Sequence, residues 1–248
     1  MKQVVVITGA SRGIGAATAK LLGSLDYSVC VNYRKNEQAA SAVVQEIKEL
    51  GGNAIALQAD ISVEADVVGL FESAESELGP ITALVNNAGV LFAQTTVANL
   101  DAERINTLLQ TNVTGTFICC REAVKRIAKS AGGSGGSIVN VSSVASRTGS
   151  PFEYVDYAAS KGAVDTLTRG LSVEVAQEGI RVNCVRPGAI DTEMHADGGE
   201  PDRVQRVAEK LPLKRGGKPT EVANAVAWLL SDETSYCTGS FIDLSGGL

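Results

Sequence analysis

A single doubly wound α/β domain on a parallel sheet of about seven strands is the fold this sequence predicts. Three observations carry that expectation. Short β-branched apolar runs recur from end to end, helical patterns with glycine stops fill the intervals, and a glycine-rich turn joins the first run to the first helix.

The runs fall at 4–7, 29–31, 54–57, 83–85, 138–141, 182–185 and 241–244. Each is unbroken rather than alternating, the pattern of strands buried on both faces of a parallel sheet. Between them, NEQAASAVVQEIKELGG (36–52) and EADVVGLFESAESELGP (64–80) place apolar residues at helical spacing and stop at glycine, the second followed by Pro80. The stretch AGGSGGS (131–137) reads as a flexible loop between a helix and the fifth strand. Trp228, in VANAVAWLLSD, falls on an apolar helical stripe and is expected in the core. No composition break divides the chain, so one domain is expected over residues 1–248. Only 192–213 interrupts the alternation. It is polar, carries Gly198, Gly199 and Pro201, and reads as a mobile lid with His195 exposed on it.

Composition narrows the function classes. A formal charge of −6 and a pI near 5.0 leave no basic footprint for nucleic acid or an anionic membrane surface. No apolar stretch approaches the ~20 residues a membrane helix needs. The N-terminus runs straight into a strand with no signal-peptide cleavage pattern, so a cytoplasmic location is expected. The 5 cysteines are odd in number and scattered, and read as reduced, buried small hydrophobes. With His195 the single histidine, no multi-histidine metal site can form and no metal is expected in the chemistry.

In TGASRGIG (8–15), Gly9, Gly13 and Gly15 sit where the first strand turns into the first helix, spaced G-x-x-x-G-x-G. Glycines let backbone approach a pyrophosphate, and a helix N-terminus offers free N–H groups and partial positive charge. An acid beyond these glycines would select NAD by binding the ribose 2′-OH, whereas an arginine accepts the 2′-phosphate of NADP. The second strand ends VNYRKN, with Tyr33 and Arg34 in the place of an acid, and Arg12 lies inside the loop. Two guanidiniums point to NADP(H) rather than NAD(H). The plain alternative makes Arg34 and Lys35 solvated turn residues.

Further on, EYVDYAASKGA (153–163) sets Tyr157 and Lys161 four apart on one helix face, while Tyr154 has Ala158 at that offset. A free tyrosine, with a pKa of ~10, is a poor base near neutrality. A neighbouring ammonium stabilises the phenolate and suits it to acid–base work.

With TGASRGIG, NNAG (86–89), Asn112, the serine pair 142–143 and Y-x-x-x-K (157–161) all in order, the chain resembles the short-chain dehydrogenase/reductase family over essentially its whole length. The resemblance implies a seven-stranded parallel Rossmann sheet and hydride transfer between a nicotinamide and an alcohol or carbonyl. It implies Asn112, Ser143, Tyr157 and Lys161 as a catalytic tetrad. In that scheme Asn112 holds a water of the proton relay, Ser143 bonds the substrate oxygen, and Lys161 also binds the nicotinamide ribose. It places Ser11 and Ile14 in the cofactor loop, Asp60 and Ile61 at the adenine, the backbone of Asn86, Ala88 and Gly89 along the cofactor, and Pro187, Gly188, Ile190 and Thr192 in the turn that holds the nicotinamide. Two local alternatives stay open. Asn112 could be a helix N-cap before VTGTFICC, and of the neighbours Ser142 and Ser143 only one should face the site.

VNYRKNEQAA and the general pattern look similar to bacterial glucose and sugar dehydrogenases. A 3-oxoacyl-[acyl-carrier-protein] reductase shares every motif, but docking an acidic carrier calls for a basic entrance. Here 192–213 carries Glu193, Asp197, Glu200 and Asp202 against Arg203 and Arg206. The resemblance also implies a homotetramer. A non-catalytic NADP-sensing regulator on the same fold is the reading from another class, and such proteins typically lose the Tyr or Lys retained here.

Overall fold

Seven strands form one all-parallel sheet, in the order β3-β2-β1-β4-β5-β6-β7, in the computed structural model, which describes residues 3–248. They are β1 (Val4–Ile7), β2 (Ser28–Tyr33), β3 (Asn53–Gln58), β4 (Ala83–Asn86), β5 (Gly136–Val141), β6 (Ile180–Pro187) and β7 (Phe241–Leu244). The chain winds outward from β1 to β3, then crosses back to place β4 on the other side of β1. Residue Val5 accordingly pairs with Val29 on one flank and Ala83 on the other.

The unbroken apolar runs follow from this burial. Val5 and Ile7 point into one apolar layer with helices α1 (Gly13–Ser24), α2 (Glu37–Glu49) and α10 (Pro219–Leu230). Val4 and Val6 point into the opposite layer with α3 (Glu64–Leu78) and α5 (Thr116–Ile127). The two outer strands depart from the expectation of burial on both faces. In β3 only Ala54 is fully buried, and β7 is half-buried throughout, because an edge strand has a neighbour on one side only. Helix α2 starts where Asn36 accepts a hydrogen bond from Ala39 N at 2.9 Å. Helix α3 stops at Gly79, whose φ of 95° no β-carbon-bearing residue adopts cheaply.

Trp228 is a correction. It is 46% exposed on α10, whose buried stripe is Val222, Val226, Leu229 and Leu230, so the indole lies at the outer margin of the apolar face. All five cysteines are free and four are buried, with burial pushing the Cys120 and Cys184 thiols up to about 12. Among the described residues, no helix is long and apolar enough to cross a membrane.

One irregularity bears on the site. Helix α4 (Ala102–Leu109) runs into α5 through a π turn, Gln110–Gly115, so Asn112 sits inside a continuous helical segment and caps no new helix. Gly115 closes this turn against the chain after β3: a β-carbon there would lie 2.6 Å from the Ile61 carbonyl oxygen. Gly115→Ala is therefore expected to lower unfolding free energy by roughly 1–3 kcal/mol, read as a shifted midpoint in urea denaturation. An unchanged midpoint would show that the turn is not held by this contact.

Candidate active site

A parallel sheet delivers the C-terminal ends of its strands to one edge, and the crevice opens where strand order reverses, between β1 and β4. There a groove of about 580 Å³ is bordered by Gly9, Ser11, Arg12, Gly13 and Ile14 from the turn after β1, Arg34 after β2, Asp60 and Ile61 after β3, Ala88 and Gly89 after β4, and Thr192. The turn is tightly specified. Gly9 has φ 61°, its N–H donates to Asn32 Oδ1 at 3.2 Å, and a β-carbon on Gly15 would lie 2.5 Å from Asn87 Nδ2 and 2.6 Å from the Gly9 carbonyl oxygen. No side chain caps the start of α1, and its first residues, Gly13 and Ile14, border the groove. These features fit the diphosphate of the dinucleotide that the resemblance implies.

A second cavity, of about 300 Å³, adjoins the groove, with Ile14, Asn87, Thr192 and Met194 bordering both. Ser143, Tyr157, Lys161, Pro187, Gly188 and Ile190 line it. Tyr157 and Lys161 come from α7 (Val155–Glu174), whose start is fixed by the ion pair of Arg104 on α4 with Asp156 at 2.7 Å. Lys161 is 4% exposed, its Nζ donates to the Val141 carbonyl at 2.8 Å, and it lies 5.6 Å from the centroid of the Tyr157 ring. Burial holds the Lys161 ammonium down to about 8. Burial likewise pushes the Tyr157 hydroxyl up to about 12, while a hydrogen bond from Ser143 pulls against it. In the protein alone desolvation, rather than the lysine charge, governs the phenol, which differs from the effect expected of the pair.

The serine pair separates cleanly. Ser142 Oγ donates to the Lys161 carbonyl at 3.1 Å, whereas Ser143 stands beside Tyr157. Asn112 is fully buried and acts as a clamp. Its Oδ1 accepts from Val90 N at 2.8 Å, and its Nδ2 donates to Val90 O at 3.1 Å and Ser160 Oγ at 3.2 Å. A β-carbon on Gly89 would lie 3.4 Å from Asn112 Oδ1 and 3.6 Å from Lys161 Nζ, so these three residues surround one space.

One predicted contact lies elsewhere: the Tyr33 ring packs into the core and does not line the groove. The Asn86 side chain is buried, its Nδ2 donating to Asn140 Oδ1 at 2.9 Å, so only its backbone is left for the cofactor role that the resemblance implies. Sequence reasoning missed Asn32, Lys35 and Asn36 in the groove, and Leu91, Tyr154, Met194, His195 and Val207 in the cavity. Asn32 carried a signal, being a polar residue inside an apolar strand next to the glycine turn. Both arginines of the groove already have acidic partners. Arg34 Nε is 2.6 Å from Asp60 Oδ2, and Arg12 pairs with Asp197. Hydrogen bonds from Ser62, with Arg34, outweigh burial and hold the Asp60 carboxyl below its usual value.

The segment 192–213 is partly helical, with α8 (Met194–Asp197) and α9 (Arg203–Ala208). Charges pin it: Glu153 is 2.6 Å from Arg203 and 2.9 Å from Arg206, and Glu200 pairs with both arginines. His195 is not the exposed residue expected of a lid. It is half-buried, with Nε2 3.0 Å from the Ile190 carbonyl oxygen.

A family model described as enoyl-(acyl carrier protein) reductase, of the short-chain dehydrogenase/reductase type, matches residues 9–248. The chain is 65% identical over 244 residues to the uncharacterized oxidoreductase YgfF of Escherichia coli (strain K12), covering 98% of this chain and 99% of that one. It is 35% identical to glucose 1-dehydrogenase 2 of Bacillus subtilis (strain 168), over 99% of this chain and 94% of that one. It is also 35% identical to the 3-oxoacyl-[acyl-carrier-protein] reductase FabG of Staphylococcus aureus (strain Mu50 / ATCC 700699), over 100% of this chain and 98% of that one.

The desolvated phenol gives a spectroscopic expectation. With its value pushed up to about 12, Tyr157 stays neutral through pH 10 in the cofactor-free protein. The tyrosinate absorbance of the wild type and Tyr157→Phe should therefore coincide up to that pH. A wild-type excess appearing near neutrality would refute this account of the site.

Proposed function

The chain belongs to the short-chain dehydrogenase/reductase family, and from that premise we propose that it is an NADP(H)-dependent oxidoreductase acting on an alcohol/carbonyl pair. The observation that carries this is the convergence of Ser143, Tyr157 and Lys161 on the cavity that adjoins the groove. The nicotinamide, when bound, supplies or takes up the hydride. In the direction of reduction, Tyr157 gives its hydroxyl proton to the developing alkoxide. Ser143 holds the substrate oxygen, and the Lys161 ammonium steadies the phenolate left behind. The Lys161 ammonium also meets the ribose hydroxyls, and Asn112 keeps the chain after β4 against α7 and serves the water of the relay.

The preference for NADP(H) over NAD(H) is argued from Arg12, Arg34 and Lys35 at the groove, with no carboxylate among residues 32–36 at the end of β2. Asp197 and Asp60 compete for the two guanidiniums. Such exposed pairs are worth only ~0–1 kcal/mol, and a bidentate phosphate displaces them. Taking Arg12 from Asp197 also removes one of the ion pairs that tie down the segment 192–213, which we read as a lid over the site.

A sugar such as glucose is one substrate reading, in line with the B. subtilis relative. The acyl-carrier reading is in line with the S. aureus relative, and at equal identity the two do not discriminate. The acids Glu193, Asp197, Glu200 and Asp202 near the entrance count against docking an acidic carrier. Retention of the Tyr–Lys pair sets aside the sensing-regulator reading. The same reading makes the protein a cytoplasmic homotetramer, a location with which its reduced, buried thiols agree.

NADPH is expected to bind about tenfold or more tightly than NADH, since one charge-assisted hydrogen bond can supply the ~1.4 kcal/mol required. Fluorescence titration of both cofactors decides this, and equal affinities would defeat it. With a substrate found by an NADPH-oxidation screen over aldoses, simple ketones and 3-oxoacyl thioesters, Tyr157→Phe should lose roughly 10²–10⁴-fold in kcat while keeping its NADPH affinity. Turnover near that of the wild type would overturn the mechanism.

The lysine gives a further pH expectation. Its ammonium, held down to about 8, loses its proton as pH rises through that value. NADPH affinity should weaken between pH 7 and 9.5 in the wild type. In Lys161→Met that dependence should vanish, and its persistence there would assign it to another group.

A further inference from the structure

Strand β2 lies between β1 and β3, and near its C-terminal end one side chain bonds to both neighbours. Asn32 is 2% exposed, in a strand otherwise made of Ser28, Val29, Cys30, Val31 and Tyr33. A buried amide is costly unless its donors and acceptor are paired, so its partners indicate its use.

On the β1 side the chain leaves the ladder after Ile7, whose register partner is Val31. Beyond that point Asn32 supplies the bonds. Its Oδ1 accepts from Gly9 N at 3.2 Å, and its backbone carbonyl accepts from Ala10 N at 2.8 Å. On the β3 side its Nδ2 donates to Ala59 O at 3.1 Å, with the Leu57 and Tyr33 carbonyl oxygens at 3.3 and 3.4 Å. These partners fix the sense of the amide. Reversed, it would set its NH2 against an N–H and its oxygen against three carbonyls.

Gly9, Ala59, Asp60 and Ile61 all border the groove. Gly9 belongs to the turn that the dinucleotide reading gives to the diphosphate, and Asp60 and Ile61 to the segment it gives to the adenine. Among the described residues, no other side chain is hydrogen-bonded to both segments. We propose that Asn32 is a positioning residue of the cofactor groove, which holds these two segments at the spacing a dinucleotide needs. It acts through Gly9 and Ala59. This rests on the reading of the groove as a dinucleotide site, and deepens it by assigning the spacing of its two ends to one side chain.

The test uses Asn32→Leu, which keeps the branching and loses both donor and acceptor, and Asn32→Ser, whose hydroxyl is too short to span both flanks. Ser137→Ala is the control, because it removes a buried hydrogen bond to Leu229 O at the opposite edge of the sheet. NADPH and NADH are titrated against each protein, and urea unfolding records stability. Both Asn32 variants are expected to bind the preferred cofactor about tenfold or more weakly, and Ser137→Ala to bind it as the wild type does. With a substrate from the screen, KM for the cofactor should rise by a similar factor while kcat at saturation stays within about threefold, the mark of lost binding rather than lost chemistry. Unchanged affinity in both variants, a fall in kcat without a rise in KM, an equal loss in Ser137→Ala, or loss of the fold in both Asn32 variants overturns the inference. A wild type that binds neither cofactor defeats the dinucleotide reading and the inference together. A wild type that binds, with variants that bind equally well, defeats the inference alone.

Discussion

Burial of one ammonium group organises this site. Lys161 lies beneath the C-terminal edge of the sheet with its Nζ bonded to the Val141 carbonyl at 2.8 Å, and holding it there costs a few kcal/mol at neutral pH. The sign follows from the lowered value. Below about 8 the amine is charged in folded and unfolded chain alike, so the cost is present in full, and it fades only as pH rises toward the ~10.5 of a free lysine. Other elements offset it by gripping the same helix. Asn140 on β5 donates to Thr168 at 2.9 Å, Asn112 in the π turn donates to Ser160 at 3.2 Å, Arg186 on β6 pairs with Asp165 at 2.9 Å, and Arg104 on α4 pairs with Asp156. Helix α7 is thus docked through directional bonds as well as apolar contact. Tyr157 inherits its position from all of them.

The same edge shows how opposite charges are distributed around the groove at the C-terminal ends of the strands. Arg12 and Arg34 stand at either side of it, one tied to Asp197 on α8 and the other to Asp60 after β3. Their side chains are about half exposed, so the pairs are screened by water and easily exchanged. The Arg203–Glu153 pair differs, with both side chains mostly covered, and it joins segment 192–213 to the residue preceding Tyr154. This one segment therefore touches the glycine turn after β1 through a more exposed contact and the cavity wall through a more covered one.

Relatives named for a sugar and for an acyl-carrier substrate match this chain equally well, which is what a shared catalytic edge with variable walls produces. Ser143 follows β5, Asn112 sits in the π turn between α4 and α5, and Tyr157 and Lys161 lie on α7, all held by the sheet and the helices packed on it. The cavity walls come instead from the loop before α7 and from residues 192–213, where changes leave the sheet untouched.

How much was legible in the sequence divides along a physical line. The seven runs, the glycine turn after β1 and the Tyr157–Lys161 spacing are local properties, set by periodicity, by positive φ and by helical pitch, and each can be read from neighbours in the chain. Asn32 donating to Ala59 O at 3.1 Å, Tyr33 turning into the core, and Trp228 turning out of it depend on which element packs across, and local pattern does not carry that. The polar underside of α7, with Asp156, Ser160, Lys161 and Thr168 buried, contradicts an apolar-stripe reading until the partners from other elements are in place. The value of Tyr157 follows the same rule. The sequence determined that a tyrosine and a lysine share a helix face, but desolvation by the surrounding walls sets the proton affinity of that tyrosine, and only the assembled tertiary structure excludes the water.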